Sequence, residues 1–372
     1  MADRWAWVLR TALGEALPGS QRARGRRLVY TRNRAAEARL TLSLGDTAAI
    51  ALFTELRNAI PTLTVYRNGD LVFGGHMRPI SGGNAAGENS HVELVFKDAF
   101  VLLDDRITDE APLATDAGQI AANLITVSNS DYGEILPITI GTIEATKIRD
   151  RTYFSKVISE AIIELTEVEG GFDWYPTYLD PVGMAFNVAA SYGSDRDDAI
   201  FEFGTGTLAN CHGYDFTLSL PVNAVRAIGS AAHIDEFDED SMGRFGVFQQ
   251  TVSATDVAEN AVLTDKALDA LRPEPVLVTA IHPDPARAPQ PWDRFWVGDT
   301  VRWNVDDGAI QQQLAPRVQT IEIGLDDSDN IDDLVVGIDP GAKGGFLVPA
   351  QSTRAYVTAQ REILRRLSAL ER

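Results

Sequence analysis

The sequence predicts a mainly β protein with an α+β insertion: two small β-barrel modules, an α+β module between them and a C-terminal helix. Three observations carry this. Short runs rich in β-branched and aromatic residues, several of them alternating apolar and polar, fill residues 1–106 and return over 201–340. Between them the apolar spacing changes to that of amphipathic helices. Finally, "LTVYRNGDLVFGG" (63–75) reads as a tight hairpin, because Asn68-Gly69 supplies the two φ > 0 positions of a type I′ turn.

In the first module, 1–106, the strands are "RWAWVL" (4–9), "RRLVYT" (26–31), "ARLTLSL" (38–44), "LTVYR" (63–67), "DLVFGG" (70–75) and "HVELVFKDA" (91–99). One short helix is expected over 45–59, where Ile50, Phe53 and Leu56 stand at helical spacing, and 81–90 reads as a polar loop tip. Gly74-Gly75 interrupts the second hairpin strand, as a bend or bulge at a barrel corner would.

The α+β module, 107–200, begins with a helix over 115–130 capped by Asp116, with Ile120, Leu124 and Val127 on one face. A second helix is expected over 153–170, with Phe154, Val157, Ile158, Ile162 and Leu165 as its buried stripe and Gly170-Gly171 as its stop. Two strands follow, "FDWYPTYL" and "MAFNVAAS".

The second β module, 201–340, contains "AIFEFG", "YDFTLSL", "NAVRAIGS", "VLVTAIH", "DTVRWNV", "RVQTIEIGL" and "DLVVGI", with a helical excursion over 256–272. Residues 341–372 hold a Gly/Pro linker and a helix over 353–372. There Tyr356, Ile363, Leu367 and Leu370 form a narrow heptad-like seam, the candidate partner-binding surface. A helix of that length is marginal alone in water and needs something to pack on.

The bulk properties narrow the function classes. A chain of 372 residues suits two or three domains, and 45% hydrophobic with 23% charged residues is ordinary for a globular protein. The apolar runs fall short of the ~18 residues of a membrane span. Arg10 and Glu15 interrupt the N-terminal apolar stretch, so no cleaved signal peptide is expected. Cys211 is the single cysteine, which excludes an intrachain disulfide. A net charge of −20 argues against duplex-DNA binding, which needs Lys and Arg for the phosphates, and suits a surface past which a polyanion slides.

No catalytic constellation emerges, and neither a cofactor nor a metal is expected. His76, His91, His212, His233 and His282 are scattered and match no zinc spacing. Cys211-His212 are strand neighbours, which point to opposite faces and make a poor dyad. "FGTGTLANCHG" (203–213) lacks the G-x-G-x-x-G spacing of a nucleotide site. The acidic runs "DEFDED" (235–240) and "DDSDNIDD" (326–333) do not fit a calcium loop, and the second reads as a hairpin turn between flanking strands. "RARGRR" (22–27) is a basic run in an acidic chain, either a solvated loop or a contact to an acidic face of a neighbouring subunit.

With these elements in order, the chain resembles the tail-hub proteins of tailed bacteriophages, the baseplate-hub or minor tail proteins. The first module carries a strand ending near Asn33, the extended stretch Ala38 to Leu44, a helix, and a hairpin with Asn68-Gly69 and Phe73-Gly74. Asp98, Leu103 and Arg106 match the family's "D-x-x-x-x-L-x-x-R" element. Asn223, Val225 and Gly229 match "N-x-V-x-x-x-G", although Thr207 departs from the usual Asn region before it. Residues 294–338 resemble the closing hairpins, in which "G-D-x-V" and "R-V" start successive strands.

The resemblance implies a non-enzymatic structural protein of the virion tail tip, made in the bacterial host cytoplasm. It implies a homotrimer whose two tail-tube-like barrels per chain alternate in a pseudo-sixfold ring that joins tail tube to tip. Implied partners are a tail-tube or distal tail protein, other tail-tip or fibre proteins and the tape-measure protein, with DNA passing through without specific binding. A tail-associated cell-wall hydrolase and a carbohydrate or receptor-binding module are the alternatives.

Overall fold

A computed structural model of the chain describes residues 4–11, 15–17, 24–43, 54, 61–78, 81–83, 91–109, 115–131, 136–168, 170–179, 182–218, 220–230, 232–254, 260–273, 276–307 and 311–339. Ten strands lie side by side in one antiparallel array. Their order is Trp5–Arg10, Thr62–Arg67, Asp70–Met77, His91–Asp98, Glu37–Ser43, Arg24–Thr31, Arg317–Leu325, Ile331–Asp339, Val276–Pro283 and Cys211–Leu218. Asp195–Gly204 joins this sheet through parallel pairing with Thr300–Asp306. The molecule is thus mainly β, and its first and last β modules meet along Arg24–Thr31 and Arg317–Leu325, from Arg26 opposite Leu325 to Thr31 opposite Thr320. Leu28, Phe73 and Phe96 of the first share one buried cluster with Phe201, Trp303 and Ile323 of the second. Burial of this kind is the main favourable term in folding, at roughly 25 cal/mol per Å² of apolar surface.

The Asn-Gly hairpin forms as expected, with φ of 55° at Asn68 and 95° at Gly69. The glycines after it act differently from expectation. The register shift falls earlier, between Val65 opposite Phe73 and Tyr66 opposite Leu71, and the strand runs through Gly74-Gly75 to Met77. Gly75 is selected by close approach: a Cβ there would lie 2.5 Å from the Phe73 ring and 2.7 Å from the Lys97 carbonyl oxygen. The strand passes at that point between two partners, Leu63 and Asp98.

The α+β module has its own core. Helices α1 (Ala117–Asp131) and α2 (Ile158–Glu167) pack with a three-stranded sheet of Ile138–Ile143, Gly183–Ala189 and Asp173–Leu179. Asp116 caps α1 by accepting from the Gln119 amide at 3.2 Å. Ile120 and Leu124 are buried, and Val127 is half-buried. Helix α2 is shorter than the expected 153–170. Ser155 turns left-handed at φ 44°, Lys156–Val157 pairs with Ile107–Thr108, and the helix starts only at Ile158. Ile158, Ile162 and Leu165 form its buried stripe, whereas Phe154 is 87% exposed and does not belong to it.

Within the second β module, Ala224–Ile228, His233–Phe237 and Gln249–Ser253 make a separate small sheet. It is covered by α4 (Asn260–Ala270), whose Leu263 and Ala267 meet Val225 and Ala227. A short helix, α3 (Glu239–Phe245), stands between these strands, where the acidic run had no helical expectation. The helix expected over 45–59, apart from Thr54, lies outside the described residues, as do 84–90 and 340–372. The candidate seam of Tyr356, Ile363, Leu367 and Leu370 therefore lies outside them too.

Candidate functional site at the module junction

The candidates for chemistry resolve into structure. Cys211 is half-buried on a strand, and burial pushes its thiol up to about 12, far from a reactive thiolate. His282 Nε2 lies 3.1 Å from Asp215 Oδ2, on neighbouring strands. Among the described residues no group of three or more His, Cys, Asp or Glu is placed to hold a metal ion. No described helix is long and apolar enough to cross a membrane.

The charge runs meet one another. The end of the basic run begins the strand Arg24–Thr31, and the acidic run 326–333 is the expected hairpin turn between Arg317–Leu325 and Ile331–Asp339. Arg26 pairs with Asp329 and donates to the Asp326 carbonyl at 2.7 Å, while Arg27 pairs with Glu322 and, at 2.9 Å, with Asp333. The complementarity sought in a neighbouring subunit is met at these arginines within the chain. In the other acidic run, Asp235 forms a two-pronged pair with Arg226, and Asp238 caps α3 through the Ser241 amide at 2.8 Å.

Two of the polar motif residues singled out in the sequence, Asn33 and Asp98, sit where the modules join. Asn33 adopts φ 55° and is buried. Its amide nitrogen donates to Asp173 Oδ1 at 3.2 Å, and its oxygen accepts from the Trp174 amide at 2.9 Å. Asp173 is buried at the start of its strand and is held from both β modules: Arg32 reaches it at 2.6 Å and Arg317 at 2.5 Å. The Tyr192 amide adds a hydrogen bond at 2.8 Å. Burial alone would raise the Asp173 carboxyl. Arg32, the Tyr192 amide and Arg317 outweigh it and hold the group below the usual carboxylate range. Asp299, next to Gly298, ties the same region by accepting from the Ser194 amide at 2.7 Å and the Trp296 amide at 2.8 Å. Asn223 does the like in the small sheet, bridging the Gly246 carbonyl at 2.7 Å and the Phe248 amide at 2.8 Å.

Asp98 is the second joint. It accepts from the Ala36 amide at 2.9 Å, the Phe100 amide at 3.1 Å and the Tyr178 hydroxyl at 3.4 Å. It thereby caps the 3-10 turn Ala99–Asp105, in which Leu103 is buried. Burial pushes this carboxyl up from an ordinary 3.8 to about 7, against those hydrogen bonds. The folded state therefore binds the proton more tightly than the unfolded one. Stability from this group is present at low pH and falls as pH rises between those two values, by up to ~1.4 kcal/mol per pH unit. In urea titrations across that window, the unfolding free energy of the natural chain is expected to fall with pH relative to that of Asp98→Asn. A difference that is flat or rises with pH would refute the placement.

Between the joints lies a cleft of about 550 Å³. Tyr30, Trp292 and Trp296 face it from the β modules, and Tyr175, Tyr178 and Tyr192 from the α+β side. Trp174, itself buried, also lines the cleft, while Trp5, Trp7 and Trp303 are buried as core residues would be. Sequence patterning missed this cleft, because its walls come from four distant stretches, within 30–36, 70–72, 174–192 and 292–297.

No protein-family model matches the chain, and no curated protein matches it. Solved structures do match its fold. The tail protein from Neisseria meningitidis MC58 is 13% identical, the match covering 91% of this chain and 97% of that one at a TM-score of 0.59. The 43 kDa tail protein of prophage MuSo2 from Shewanella oneidensis is 12% identical, covering 92% and 100% at 0.62. Prophage tail protein gp18 from Listeria monocytogenes EGD-e is 11% identical, covering 96% and 99% at 0.57.

Proposed function

We propose that this chain, which has the fold of prophage tail proteins, is a structural hub subunit of a phage tail tip and not an enzyme. The supporting observation is that the likeness runs nearly end to end in all three of those chains, both β modules included. Three copies form a ring in which the β modules of residues 1–106 and 201–340 alternate around the axis, with 107–200 as the α+β module. The ring presents sixfold geometry to the tail-tube or distal tail protein and threefold geometry to the tip and fibre proteins. The tape-measure protein and then DNA pass through it from a virion assembled in the host cytoplasm.

Charge supports a passage that does not bind DNA. Residues 340–372 hold six Lys or Arg against two Glu, a charge of +4, which leaves −24 on residues 1–339. An acidic lumen repels a polyanion. The basic terminal segment, with the seam of Tyr356, Ile363, Leu367 and Leu370, then serves as the anchor for a neighbouring tail component. Mass measurement of the purified full chain tests the ring: from a protomer of 40.5 kDa a trimer near 120 kDa is expected. A species that stays monomeric at assembly concentrations counts against a self-assembling ring.

A further inference from the structure

We propose that the aromatic cleft at the module junction is the docking site for this chain's own segment Phe346-Leu347-Val348-Pro349. The inference goes beyond the tail-hub reading and does not depend on it. The cleft is built to take an apolar occupant. Trp292 and Trp296 lie with ring centroids 4.8 Å apart, Tyr30 packs 4.7 Å from Trp296, and on the α+β wall Tyr175 stacks on Tyr192 at 4.2 Å. Its volume falls within the 300–1,000 Å³ typical of sites that enclose a ligand. Trp292 is also held at φ 65°, a conformation that a bulky L-residue rarely adopts, and the Arg67 guanidinium lies 5.0 Å over its ring. Strained backbone of this kind persists where the surroundings fix a side chain for a purpose.

The course of the chain names the occupant. The last strand, Ile331–Asp339, ends with Asp339 opposite Arg317. The Arg317 side chain donates to the Gly298 carbonyl at 2.8 Å, contacts the Tyr192 carbonyl and pairs with Asp173. Tyr192 and Val297, beside Gly298, line the cleft, so the chain leaves the sheet at the cleft's edge. From there Pro340 to Gly345 carries no large apolar side chain, and Phe346-Leu347-Val348 is the first apolar run. Phe346 stands seven positions after Asp339, and at roughly 3.3 Å per step the chain reaches roughly 23 Å. Pro349 biases Val348 toward extended backbone. Extended, proline-flanked segments are what aromatic-lined grooves bind elsewhere. Docking there would fix the origin of the basic terminal segment at the junction.

The test is fluorine NMR of the full chain carrying 5-fluorotryptophan, with signals assigned by single Trp→Phe replacements. Phe346→Ala is expected to shift the Trp292 and Trp296 resonances and to leave those of Trp7 and Trp303, buried in the sheet's core, in place. Unmoved Trp292 and Trp296 signals would overturn the proposal. So would signals that, on dilution of the natural chain, revert to the Phe346→Ala positions, since the segment would then come from a second copy. Signals of the natural chain that hold on dilution to a species shown by mass to be monomeric, together with the Phe346→Ala shift, establish docking within one chain; if they are lost once the monomer is reached, the segment comes from a second copy and the proposal fails.

Discussion

Asp173→Ala is expected to cost about 3–5 kcal/mol, the usual loss when one partner of a buried ion pair is removed. At this chain length such a loss lowers the thermal midpoint by roughly 5 °C. The substitution leaves the Arg32 and Arg317 side chains, only 23% and 16% exposed, without their shared carboxylate. It also removes the acceptor of the Tyr192 amide and of Asn33. One side chain thus joins all three modules, and its loss acts on each. Arg34→Ala is the control: its pair with Glu167 spans 2.6 Å but is open to water on both sides, and such pairs contribute about 0–1 kcal/mol. Because the Asp173 carboxyl is held below its ordinary value, its contribution is present above the unfolded carboxylate pKa and fades as pH falls through the folded one. Calorimetry of the two variants at neutral pH decides the matter. Equal losses would mean that Asp173 does not staple the modules.

Gly298→Val is expected to be the most damaging glycine substitution at the junction. Gly298 has φ 95°, and a Cβ there would lie 2.6 Å from the Tyr192 carbonyl oxygen. Gly193, at φ 102°, faces it, and a Cβ on that residue would meet the Gly298 carbonyl oxygen at 2.2 Å. The two backbones pass too closely for any side chain. A left-handed L-residue costs about 1–2 kcal/mol, and overpacking adds about 1–3 kcal/mol. Gly246→Val isolates the first cost, because Gly246 has φ 90° with nothing within 4 Å of its Cβ position. Denaturant unfolding is expected to show a clearly larger loss for Gly298→Val. Equal losses would remove close approach as the reason for glycine there.

Much of the strand plan was legible because period-2 patterning and turn chemistry act locally. The hairpin at Asn68-Gly69, the strand Arg317–Leu325 and the cap at Asp116 each follow from a few adjacent residues. Helix α2 was read too long because Phe154 and Val157 continue its apolar spacing. Ser155 and the pairing of Lys156–Val157 with Ile107–Thr108 override that spacing from outside the segment. The strand Ile138–Ile143 was not anticipated: four of its six residues are exposed, so no buried face marks it. The joint residues were visible as motif positions, Asn33, Asp98, Asn223, Gly298-Asp299 and Arg317, but their partners were not. Asp173 lies 141 residues from Arg32 and 144 from Arg317, and no local pattern encodes such a meeting.

The most direct measurement of the tail-hub assignment is an averaged electron-microscopy map of the assembled tail tip that contains this chain. It is expected to show three copies closed into one ring, with six β modules around an acidic channel between tube and tip. A ring of six copies, a chain placed away from the channel, or a neutral or basic channel wall would contradict it.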